Sequence, residues 1–114
     1  MKDLAQNVKI DHSLSAVVKT ASANGAAIDT QGFQSVTLVA DVGAAGITLT
    51  GTNKFSFSLE DSDAPGSGFA VVTNNAFVTG GTVDSSGIFQ VVDAPAHATQ
   101  AYKLGYVGGK RYVR

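Results

Sequence analysis

Tyr102-Lys-Leu-Gly-Tyr-Val-Gly-Gly-Lys-Arg-Tyr-Val-Arg114 are the last thirteen residues of the chain. Two runs rich in Tyr and Val flank Gly108-Gly109. A two-residue hairpin loop asks for positive φ at both of its positions, which glycine adopts without steric cost. The stretch therefore reads as a β-hairpin. Counting outward from the loop sets Val107 opposite Lys110, Tyr106 opposite Arg111, Gly105 opposite Tyr112 and Leu104 opposite Val113. Tyr102, Leu104 and Val113 then share one face. On the other face the Tyr112 ring covers the bare backbone of Gly105.

The rest of the chain repeats this strand-and-turn grammar. Lys54-Phe-Ser-Phe-Ser-Leu-Glu60 alternates most cleanly, with Phe55, Phe57 and Leu59 on one side and Ser56, Ser58 and Glu60 on the other. After the loop residues Asp61 to Gly68, Phe69-Ala-Val-Val-Thr73 reads as its hairpin partner. Val36, Leu38, Ala40 and Val42 alternate within a strand that begins at Ser35. Ile88-Phe-Gln-Val-Val92 is a further strand, ended by Asp93-Ala-Pro-Ala96 because proline cannot donate to a ladder. Ala16-Val-Val-Lys-Thr20 reads as a strand followed by a turn at Asn24-Gly25, and Phe77-Val78 as a short one between turns at Asn74-Asn75 and Gly80-Gly81. The strands are short and closely spaced, the pattern of an all-β sandwich or barrel. The expected architecture is a single-domain antiparallel β-sandwich, jelly-roll-like, over residues 15–114, with residues 1–14 as an extended N-terminal arm. Phe33, Val36, Leu38, Phe55, Phe57, Leu59, Phe69, Leu104 and Val113 are the expected core.

Composition agrees. The 114 residues suit one domain able to bury a core without staples, and there is no cysteine for a disulfide framework or a thiolate site. Thirteen glycines, abundant Val, Thr and Ser, and a single Glu favour strands over helices. A net charge of −1 offers no general attraction for nucleic acid or an anionic membrane. No apolar run reaches the roughly 18 residues of a membrane helix, and Met1-Lys-Asp-Leu-Ala-Gln-Asn lacks the apolar core of a secretory signal, so manufacture in a cytoplasm without export is expected. Only 15% of residues are charged, which leaves a neutral surface of the kind a partner covers.

The search for chemistry returns no catalytic constellation. Glu60, Asp61 and Asp63 begin like a calcium loop, but position 65 is Pro and position 72 is Val where ligands would stand, so a solvated hairpin loop is favoured. His12 and His97 are the only imidazoles and are far apart in sequence, short of the three or four ligands zinc takes. There is no Gly-x-Ser-x-Gly elbow and no phosphate-binding glycine loop. The expectation is a protein that is not an enzyme and uses no metal or cofactor. Interaction candidates are clearer. Lys103, Lys110, Arg111 and Arg114 are half of the eight basic residues and interleave with Tyr102, Tyr106 and Tyr112. They fit protection of an edge strand, or contact with acidic residues on a neighbouring subunit, better than a nucleic-acid surface. Val8 and Ile10 on the arm are the apolar candidates, the arm being either a frayed end or a tail that orders against a neighbour.

Three segments taken together resemble a known group. They are Ile28-Asp-Thr-Gln-Gly-Phe33 running into Val36 to Val42, Phe57-Ser-Leu-Glu-Asp-Ser-Asp63, and the segment from Tyr102 to Val113. The group is the small structural proteins of tailed bacteriophages encoded among the head genes, most of all the capsid decoration or cement proteins. The last segment carries most of the likeness, and a longer C-terminal extension is not expected. The resemblance implies a protein of the outer capsid surface, a homotrimer bound to the assembled major capsid protein, with no catalytic residues. A head-completion or tail component, and a host-glycan-binding module built on the tyrosines, are the alternatives.

Overall fold

The computed structural model describes residues 4–114 and is all-β. Nine short strands form three antiparallel sheets, and the only helical elements among the described residues are two 3-10 turns, Asn75–Phe77 and Pro95–His97. The first sheet has the order β1 (Ile28–Asp29), β9 (Tyr112–Val113), β4 (Glu60–Ser62), β5 (Ala70–Val71). The second places β8 (Gln100–Tyr106) between β2 (Val36–Val42) and β6 (Val78–Thr79). The third pairs β3 (Phe55–Ser58) with β7 (Ile88–Val92).

The clean alternation from Phe55 to Glu60 produces two strands, not one. A register shift between Phe57, opposite Gln90, and Ser58, opposite Ile88, disturbs the pairing with β7, which stops at Ser58. Leu59 then passes the chain from one sheet to another: its N–H donates to the Gly87 carbonyl at 3.0 Å and its own carbonyl accepts from Val72 at 2.9 Å. Its side chain is fully buried, and the chain continues as β4, which pairs with β5 as the expected hairpin. Local alternation placed the side chains correctly, while the change of partner comes from the neighbours.

Two apolar clusters hold the sheets. Leu59, Val72, Val78, Leu104, Tyr106 and Val113 form the larger with Val83, and Ile28, Val36, Leu38 and Phe89 pack on it. The smaller contains Leu49, Val92 and Ala98, with Phe55, Phe57, Val42 and Tyr102 against it. The β2–β8 ladder reaches both, because seven consecutive pairs run from Val36 opposite Tyr106 to Val42 opposite Gln100. Full burial of one Leu or Val contributes about 1.5–3 kcal/mol, so Leu59 and Leu104 anchor the larger cluster. Seven of the nine expected core residues are buried or packed on these clusters. Phe33 is 47% exposed, because the loop that closes with Phe33 N–H on the Thr30 carbonyl precedes the start of alternation at Val36. Phe69 is half-buried, one face of its ring covered by the Arg114 guanidinium at 4.2 Å.

The hairpin expected between Tyr102 and Arg114 does not form. β8 is the central strand of its sheet, and β9 lies in another sheet between β1 and β4. The physical reason is competition. β8 finds seven partners on β2 and two more on β6, a longer ladder than the four pairs the hairpin offers. Gly105 is accordingly matched with Thr37 and Thr79, not with Tyr112, and a Cβ there would collide with the Thr79 side chain. Gly108 and Gly109 do not take positive φ. Gly108 is needed for a different reason: it lies against the Tyr106 ring, where any Cβ would overlap the phenol.

The expected strand Ala16–Thr20 and the turn at Asn24-Gly25 are also absent. Val17 and Val18 are adjacent, so an extended chain would show one valine on each face, too little to hold either face on a core. The first strand is β1, and residues 4–24 are exposed apart from Ser13. Val8-Lys9-Ile10 forms no strand either, and residues 1–3 of the expected arm lie outside the described residues.

Candidate functional site

The basic segment after β8 is tied to its own chain. The chain leaves β8 and wraps round the Tyr106 side chain: the buried phenol donates to Asp61 Oδ2 at 2.7 Å and accepts from the Lys110 backbone N–H at 3.2 Å. That wrap delivers the cations to acidic strands. Lys110 Nζ meets Asp63. Arg111 grips Asp29 with two bonds, Nε to Oδ1 at 2.9 Å and Nη2 to Oδ2 at 2.8 Å, the paired geometry that suits a guanidinium and a carboxylate. Arg114 Nε donates to Glu60 Oε2 at 2.6 Å, while the backbones of Glu60 and Arg114 exchange two bonds at 3.0 Å. These pairs join β1, β4 and β9 from the outside of their sheet.

The electrostatics follow from these contacts. The hydrogen bond from Arg111, helped by the Gln31 backbone N–H, pulls the Asp29 carboxyl down to about 2. Burial, then the hydrogen bond to Asp61, pushes the Tyr106 phenol up to about 12. Asp63 raises Lys110, and Asp29 raises Arg111.

Of the four basic candidates, Lys110, Arg111 and Arg114 therefore face carboxylates of this same chain. Contact with acidic residues of a neighbouring subunit was one of the two sequence readings of these cations; carboxylates of the chain itself stand beside three of them, a match invisible until β9 is seen beside β1 and β4. Lys103 stands apart. It sits on β8 opposite Val39 of β2, makes no ion pair among the described residues, and shares an outward face with Val39, which is 68% exposed. The tyrosines needed for a glycan groove are engaged. Tyr106 is buried, Tyr102 is half-buried and donates to the His97 carbonyl at 2.7 Å, and Tyr112 lies under Arg111 at 5.2 Å.

Val8 and Ile10 are both exposed, and they are not alone. Leu4, Leu14, Val17 and Val18 are exposed as well, so half of the twelve large exposed apolar side chains among the described residues fall in residues 4–18. Sequence reasoning selected only two of the six, because Ala16–Thr20 looked like part of the body. The segment is fastened by Ser13, whose carbonyl accepts from the Ala26 N–H at 2.7 Å and whose hydroxyl donates to the Ala26 carbonyl at 2.8 Å.

Two shallow depressions remain. One, of about 360 Å³, is flanked by Asp84, Phe89, Gln90 and the Asp93–His97 pair, in which His97 Nδ1 lies 2.8 Å from Asp93 Oδ1. The Asp84 carboxylate is occupied by the Ser86 and Ile88 backbone N–H groups. Thr82 also lines this depression and supplies the one side-chain hydroxyl on its lining. The other, of about 420 Å³, lies beside β5 and contains Val71, Val72, Phe77 and Lys110, with Asp61 and Asp63 on its rim. Asn74 is part of its lining, and its carboxamide caps the 3-10 turn at Ala76 N–H; next to it the Asn75 carboxamide clamps both backbone groups of Val83. No group of three His, Asp or Glu side chains able to hold a metal occurs among the described residues. No helix there is long and apolar enough to cross a membrane.

No protein-family model, curated protein or solved structure matches this chain.

Proposed function

We propose that this chain is a virion structural protein of a tailed bacteriophage, a decoration protein that binds the assembled major capsid protein shell from outside. In this reading the three sheets close as a jelly-roll-like sandwich, residues 1–14 serve as an extended arm, and three copies form a ring at a local three-fold axis. The observation that carries it is the contrast in surface: a body in which Lys110, Arg111 and Arg114 are paired with its own carboxylates, and an N-terminal segment whose apolar side chains have nothing to cover them. A net charge of −1 presents little net field to repel a neighbouring copy. The apolar segment, with Val8 and Ile10 at its centre, supplies contacts that a seam between shell subunits would bury. A protein that binds only the assembled shell stabilises it by mass action, and many symmetry-related weak contacts add avidity. Lys103, beside Val39, is the one basic candidate left for an acidic patch on the shell.

The test is binding of the purified protein to assembled shells and to unassembled shell protein, with copies counted per particle. Saturation at hundreds of copies on assembled shells alone is the expected result. A dozen copies or fewer would move the protein to the neck or tail, and no binding to shells would end the proposal. Removal of residues 1–14 is expected to abolish binding; unchanged binding would remove the arm from the mechanism.

A further inference from the structure

The depression beside β5 and the loop between Ser13 and Ala26 are complementary in charge, and both expose apolar side chains. β5 is the outermost strand of its sheet, so its outer side has no strand neighbour. Val71 and Phe77 line the depression beside it, each 43% exposed, and Val107, whose N–H donates to the Phe77 carbonyl at 2.8 Å, continues the apolar surface. Its charges do not cancel. Lys110 is paired with Asp63, while Asp61 receives only the hydrogen bond of the neutral Tyr106 hydroxyl and makes no ion pair among the described residues. The depression is thus an apolar surface with one negative charge in excess.

The loop has the opposite character. Val17 and Val18 are 61% and 87% exposed, the following Lys19 makes no ion pair among the described residues, and neither valine lines the depression of its own chain. The Ala16–Thr20 stretch has strand-forming composition and no strand to join.

We infer that the loop of one copy, keeping its bent form, seats in the depression beside β5 of a second copy, with Val17 and Val18 against Val71 and Phe77 and Lys19 beside Asp61. Each copy carries one donor loop and one acceptor depression, so the contact is head-to-tail and a ring closes it. This inference rests on the self-association part of the reading above and not on the shell part, which is measured with shells present.

The chain has no cysteine, which allows a direct experiment on the full-length protein. Val18→Cys protein is mixed with Phe77→Cys protein under mild oxidation, and any mixed disulfide must join two copies. Val18→Cys with Val39→Cys is the control for the open face of β2. The expected result is a Val18–Phe77 product at about tenfold or more the yield of the control. If Phe77→Cys fails to fold by circular dichroism, Val71→Cys replaces it. In light scattering without oxidant, Val18→Asp, at an exposed position, is expected to weaken self-association about 30-fold, and Lys19→Glu about tenfold. A wild-type chain that stays monomeric at all concentrations would overturn self-association altogether. Oligomers with no preference for Phe77 over Val39 would overturn this contact alone.

Discussion

The two ends of this chain treat their apolar and charged residues in opposite ways. From Tyr102 onward, Leu104, Tyr106 and Val113 enter the larger core and three of the cations find carboxylates on β1, on β4 and just beyond it. From Leu4 to Val18 the apolar side chains stay in solvent, and the Ser13–Ala26 pair ties the segment to the chain that leads into β1. Both ends contain valines and lysines. What separates them is neighbours: β8 and β9 are flanked on both sides by strands, and the N-terminal segment has none. Side chains held in the first way serve stability, and those left in the second way are free to serve association.

The comparison can be broken by mutation. Leu104→Ala should cost about 2–5 kcal/mol in urea unfolding, since the emptied site lies where the sheets meet. A loss below 1 kcal/mol would mean the C-terminal end is not the anchor. Tyr106→Phe should cost about 1–3 kcal/mol, because Asp61 loses its donor and the wrap to Lys110 loses its pivot. It should also change the alkaline limb. The phenol is raised from 10.0 to about 12 in the folded state, so its contribution is complete below pH 10.0 and is lost as pH rises through about 12. Stability measured across that interval should fall in the wild type and fall less in the variant.

Asp29→Asn should have a smaller effect, confined to acid. Asp29 is lowered from 3.8 to about 2, so its contribution is complete well above pH 3.8 and disappears as pH falls through about 2. The variant should lose that part of the acid dependence, and added salt should shrink the difference because the pair is half in solvent. Smallest of all, removal of residues 1–14 should leave the urea midpoint of the body nearly unchanged. A drop comparable with that of Leu104→Ala would place the N-terminal end in the fold and erase the contrast.

Much of the strand content was legible. β2 and β7 match the stretches read from alternation, and the β4–β5 hairpin follows from the loop chemistry between Asp61 and Gly68. The side on which Phe55, Phe57 and Leu59 lie was correct, as was the burial of Leu104 and Val113. The terminal hairpin was not, although its local signals were strong. Gly108-Gly109 satisfies the chemistry of a tight turn and equally that of a chain packed on a tyrosine ring, and only the position of Tyr106 separates the two. The candidate surface was half legible. A cluster of cations is visible in any sequence, but whether it is free depends on carboxylates more than forty residues away, such as Asp63 and Asp29.

By itself the sequence determined that the chain is built of short strands and which side of most strands is apolar, because both depend on residues two apart. The tertiary structure alone decided which strand lies beside which, that Leu59 joins two sheets, and that three of four candidate cations are already paired. Those outcomes come from competition among distant segments for the same backbone edges and the same core, where a ladder of seven pairs displaces a hairpin of four. No local pattern records that contest, or which side chains it leaves uncovered.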